Sequence, residues 1–157
     1  MVREFIQKAL ILPELISKQT FNSASPGAGA EFDRLEYLSA ILAVKVSGFG
    51  GNPDAAVLVL AVEHSDDGSA GSFEPVSDPL VGADNATKQM RDAQNKLVST
   101  KIYAPIDGDG VVNIDMDLLG CKQYVSVVPS VEFTGGTSPT FDAVFALGLG
   151  DKDREPV

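Results

Sequence analysis

The feature that most constrains this chain is its C-terminal half, where side chains alternate with a period of two over four successive segments. A period of two puts successive side chains on opposite faces of a pleated strand. Val112, Ile114, Met116 and Leu118 alternate with Asn113, Asp115 and Asp117. Ala143, Phe145 and Leu147 alternate with Val144 and Ala146 within Phe141–Gly148, and Gln123–Thr134 reads as a long strand bent near Pro129. Over Lys96–Tyr103, Leu97, Ser99 and Lys101 fall opposite Val98, Thr100 and Ile102. Turn chemistry punctuates these runs: Asp107-Gly108-Asp109-Gly110, expected as a tight hairpin-type turn, and Gly135-Gly136-Thr137-Ser138-Pro139.

The same logic extends toward the N-terminus. Leu38, Ala40, Leu42, Val44 and Val46 alternate with Ser39, Ile41, Ala43, Lys45 and Ser47, as in a half-buried strand that ends at Gly48, Gly50 and Gly51. Ala55–Glu63 is a continuous apolar run; Val57, Val59 and Val62 and the turn residues on both sides favour a buried strand over a helix. Phe73–Ser77 reads as a short edge strand, because Pro75 is barred from a central one. Within the polar stretch Pro79–Asn95, Ala86–Lys96 is expected to hold a short helix. Val2–Leu12 also has helical spacing, with Phe5, Ile6, Ala9 and Leu10 in one apolar stripe that Pro13 ends, and the Ser-, Gly- and Ala-rich 22–30 reads as a linker. About seven or eight short strands predict an all-β protein, a jelly-roll-like antiparallel β-sandwich over residues 31–157. A short helical or extended N-terminal arm and linker, residues 1–30, precedes it.

Composition narrows the functional classes. With 157 residues, 44% of them hydrophobic and 22% charged, the chain suits one globular domain. The net charge of −10 argues against nucleic acid as a partner. Lys88, Arg91, Lys96 and Lys101, interleaved with Asp92, read as a solvated face. No stretch approaches the ~20 apolar residues that span a bilayer, so no membrane partner is expected, and the single cysteine allows no intrachain disulfide.

Chemistry-bearing residues are sparse. His64 is the only histidine and is expected at a strand rim. Cys121 is expected as a small buried hydrophobe, since a nucleophilic thiol needs a base and His64 is the one imidazole. Asp66-Asp67-Gly68 and Asp107-Gly108-Asp109-Gly110 have the acid-and-glycine character of calcium loops, but the second lacks the closing acidic ligand. Gly48-Phe49-Gly50-Gly51 lacks the spacing of a dinucleotide loop, and Asp115 and Asp117 read as a wet strand face. No catalytic, cofactor-binding or metal residue is assigned, no cofactor is expected, and nothing in the sequence favours an enzyme.

Several strings resemble small virion proteins of tailed phages, encoded among head genes. They are Val59–Gly68 followed by Phe73-Glu74-Pro75-Val76, then Gly120–Val128, then Thr134–Pro139, then Ala146–Gly150 and Pro156-Val157. The resemblance covers about Ala55–Ser77 and Gly120–Val157; Pro79–Tyr103 looks like an insertion, and Met1–Leu12 has no counterpart in the pattern. It implies a jelly-roll-like protein that assembles as a homotrimer on the outer capsid surface, with the major capsid protein as partner and a spike or fibre protein as a further one. Phe5, Ile6, Ala9 and Leu10 are the candidate capsid-docking residues. The alternative is a receptor- or carbohydrate-binding β-module of a phage spike or tail, for which Tyr37, Tyr103 and Tyr124, without any Trp, are a thin supply of aromatic side chains.

Overall fold

Alternation along the chain resolves into ten strands in the computed structural model, which describes residues 10–22, 25–82 and 85–152, with side chains over 14–22, 25–82 and 85–150. They are β1 (Leu10–Phe21), β2 (Ala30–Asp33), β3 (Tyr37–Asn52), β4 (Ala55–Ser65), β5 (Glu74–Pro75), β6 (Ala86–Arg91), β7 (Leu97–Ile106), β8 (Gly110–Asp117), β9 (Tyr124–Thr134) and β10 (Thr137–Lys152). No helix occurs among the described residues.

One sheet runs β1-β10-β3-β8 and the other β2-β9-β4-β7-β6, with β5 paired to β4 off that path, and every pairing is antiparallel. Without β5 and β6, the remaining eight strands are laid in chain order as 1-8-3-6 and 2-7-4-5. That interleaving of Greek keys is the jelly roll. β6 falls in Pro79–Tyr103, the region that reads as an insertion in the sequence, whereas β5 lies ahead of it in Phe73–Val76.

The core lies between the inner faces. Leu42 and Val44 of β3, Ile114 of β8 and Phe145 of β10 face Leu58 and Leu60 of β4, Ile102 of β7 and Val127 of β9, all fully buried. β4 is central, paired with both β7 and β9, and Val59 on its opposite face is fully buried too, as its continuous apolar run requires. At one end, the Phe141 ring stacks on Phe21 at 5.2 Å and on Phe49 at 5.9 Å, tying β10 to β1 and β3. The β9–β10 hairpin turns on Gly135 and Gly136, with φ of 60° and 58°. Two successive positive φ values match the twist of the strands, and a Cβ at Gly136 would collide with the Asn52 carbonyl oxygen.

Three expectations are corrected. Residues 10–12 do not close a helix: they open β1, paired Leu10 to Leu149 and Leu12 to Leu147. Pro13 is tolerated because β1 is an edge strand and its register slips between Leu12 and Ile16. The sheet system therefore starts at Leu10, inside the segment expected as arm and linker, and Gly27 of that linker bonds to the Pro129 carbonyl. Phe5, Ile6 and Ala9 lie outside the described residues.

The helix expected over Ala86–Lys96 is strand β6. Its alternation is concealed because inward side chains bond backbone rather than pack: Gln89 Nε2 donates to the Val76 and Ser77 carbonyls, and the Leu80 N–H donates to Thr87 Oγ1. Asp107–Asp109 does not join a hairpin either. It carries the chain from β7 in one sheet to β8 in the other, and Asp109 Oδ1 accepts the Phe49 N–H.

Candidate functional site

The site arises where two strands part. β7 pairs with β4 only from Ala56 to Ala61, and beyond that point β4 is covered by the two residues of β5, Glu63 against Pro75 and His64 against Glu74. β7 meanwhile follows β6 out to Leu97. The split leaves a cleft of about 590 Å³, within the ordinary size of small-molecule sites. Phe73, Glu74, Pro75 and Ser77 line one side and Lys96, Leu97 and Val98 the other. His64 completes the lining.

His64, expected at a strand rim, is 6% exposed. Its Nδ1 accepts the Lys122 N–H at 3.1 Å, which puts the proton of the neutral ring on Nε2. Nε2 stands 3.7 Å from Glu74 Oε1, beyond hydrogen-bond reach. Lys122 Nζ contacts Glu74 at 2.7 Å and Asp66 at 3.0 Å. The Lys122 ammonium holds the Glu74 carboxyl below its usual range, and Glu74 in turn raises Lys122.

Burial lowers the His64 pKa from 6.5, against the opposing pull of Glu74. A histidine lowered on folding binds fewer protons folded than unfolded, so its contribution to stability is complete above pH 6.5 and is lost as pH falls toward the folded value. Chemical denaturation should therefore show stability falling as pH drops below 6.5, and His64→Gln should flatten that part of the profile. An unchanged slope in the variant would assign the acid sensitivity to other groups.

Arg34, between β2 and β3, fastens the other wall of this corner. Its Nε donates to the Lys122 carbonyl at 3.1 Å, Nη1 to the Tyr37 carbonyl at 3.2 Å and Nη2 to the Cys121 carbonyl. Its own N–H donates to the Gln123 carbonyl at 2.8 Å. No motif in the sequence marks Arg34; only its three acceptors, two of them some 88 residues away in sequence, reveal it.

The structure brings Cys121 into the same corner as His64 without making them a nucleophile and its base. The thiol is buried, which pushes its pKa up to about 11, and the imidazole Nδ1 is already engaged. The acidic loop beside it is organised by its own serines. Asp67 is held well below the usual carboxylate range by hydrogen bonds from Ser72, Ser69 and Ser65. Among the described residues no group of three or more metal-ligating side chains assembles. Asp115 and Asp117 lie exposed on the outer face of β8, as expected. No helix among the described residues is long and apolar enough to cross a membrane. In comparisons with known proteins, no family model, no curated protein and no solved structure matches this chain.

Proposed function

We propose that the chain is a non-catalytic auxiliary protein of a tailed-phage head, bound as a homotrimer to the major capsid protein on the outer capsid surface. The observation that supports this most is the outer face of the β1-β10-β3-β8 sheet. Ile41 and Val111 point away from the core and are 52% and 61% exposed. Across the rungs Ile41 meets Gly148 and Ala43 meets Ala146, side chains too small to shield it. On the β8 side Asp115 is paired with Ile41 and Lys45 with Val111, and a groove of about 540 Å³ is lined by Ile41, Asp115 and Gly82. An exposed sheet face that carries large apolar side chains among charged ones suits burial against a partner, and oligomerisation also covers exposed strand edges. The resemblance of Val59–Gly68 and Gly120–Val128 to phage head proteins supplies the identity of that partner. A spike or fibre protein fits as a further partner on the side that faces away from the shell.

Purified protein should co-sediment with shells that lack it, and should scatter light in solution as three chains. A strict monomer that fails to sediment with shells would contradict both. Removing Met1–Leu12 would cut into β1, so the deletion that tests the arm is Met1–Ala9. It is expected to leave the domain folded and to abolish shell binding. If binding persists, docking belongs to the sheet face, and Ile41→Lys should then remove it while changing stability by less than about 0.5 kcal/mol.

A further inference from the structure

We propose that the cleft between β5 and the start of β7 is a binding site for a neutral saccharide, held by His64 Nε2–H and the Glu74 carboxylate against the apolar surface of Phe73 and Val98. The cleft has no part in capsid docking as described above, and the proposal stands whether or not the chain belongs to a capsid.

The polar geometry selects the ligand class. His64 is more than nine-tenths buried and its Nδ1 is taken by the Lys122 N–H, so Nε2–H is its one remaining donor. That donor faces Glu74 Oε1 across 3.7 Å, too far for a direct bond. A group that bridges them from the open side of the cleft must accept from nitrogen and donate to a carboxylate, and a hydroxyl does both. The lining holds one carboxylate, Glu74, and one ammonium, Lys96, and so favours neither an anion nor a cation. The Glu74 carboxylate disfavours a phosphate or carboxylate ligand, as does the net charge of −10. Lys96 on the opposite wall and Lys122 behind Glu74 disfavour a cation. What remains is uncharged and rich in hydroxyls. A pyranose also presents C–H faces, and the cleft supplies half-buried Phe73 and Leu97 with Val98, which is 48% exposed, to meet them. Strand splitting gives the cleft its width, and β4 and β7 are held on either side by β9 and β6.

The test uses the full chain and a panel of methyl glycosides of glucose, galactose, mannose and N-acetylglucosamine, followed by amide chemical shifts. At least one should bind with a millimolar Kd and shift the amides of His64, Phe73–Ser77 and Lys96–Val98. Glu74→Ala should weaken that glycoside at least about tenfold, and so should Phe73→Ala, whereas Lys45→Ala on the far sheet should not change it. The Lys122 amide shift reports whether each variant keeps the corner folded; if Glu74→Ala disturbs it, Phe73→Ala decides alone. The proposal is overturned if no glycoside binds, if shifts cluster elsewhere, or if inorganic phosphate occupies the cleft more tightly than any glycoside.

Discussion

Phe141→Ala is expected to lower the free energy of unfolding by about 3–5 kcal/mol, the usual cost of emptying a buried phenyl site. Phe141 is 2% exposed and is the middle ring of a three-ring stack whose outer members stand on β1 and β3. Its removal therefore opens a cavity and also forfeits two aromatic contacts, each worth about 0.5–1.5 kcal/mol beyond area burial. For a domain of this size the melting temperature should fall on the order of 10 °C. β1 should lose most, since Phe21 is paired directly with Phe141 in the ladder. Hydrogen exchange resolved by residue is the appropriate measurement. Faster exchange in β1 than in β4 would fit; a uniform loss, or a change in melting of only a degree or two, would mean that the stack does not hold the edge strand.

Arg34→Ala should have the second largest effect, about 2–3 kcal/mol, by a different mechanism. The guanidinium satisfies the carbonyls of Tyr37, Cys121 and Lys122, and truncation leaves partly buried acceptors without a donor. Arg34→Lys should restore little, because a single ammonium cannot reproduce the planar fork. The distinguishing readout is the Lys122 amide. It donates to His64 Nδ1 and lies on the segment that Arg34 fastens, so it should lose protection in both variants. Since that bond fixes the His64 tautomer, the pH dependence below 6.5 should weaken as well. Loss of stability with the Lys122 amide still protected would show that Arg34 acts locally on the β2–β3 turn.

These residues also show what the sequence could and could not disclose. Strands that bury one apolar face wrote that face into the chain: Leu42 and Val44, Ile114 and Met116, Phe145 and Leu147 all sit where their alternation requires. Strands stabilised in other ways left no such trace. β6 turns Thr87 and Gln89 inward to bond backbone, so the face it buries is polar. β1 carries Pro13 at an edge where a missing donor costs little, and of the residues read as a helical stripe only Leu10 belongs to it. The corner around His64 was legible only in part. The Asp-Gly turn and the strand end were visible, but the burial of His64 depends on β5, a two-residue strand, and on Lys122, 58 residues away in sequence. Arg34 was hidden for the same reason, since backbone carbonyls carry no side-chain signature.

The parted strands and the exposed Ile41 and Val111 are features of an isolated chain, whereas an auxiliary capsid protein is defined by its place on a particle. The most direct measurement is mass spectrometry of purified phage heads from cells that express this chain, before and after treatment of the intact particles with protease. The chain is expected in the heads at a fixed ratio to the major capsid protein and is expected to be cleaved while the shell protein survives, as an outer-surface location requires. Its absence from purified heads, with the folded protein found free in the same lysate, would contradict the proposed function outright.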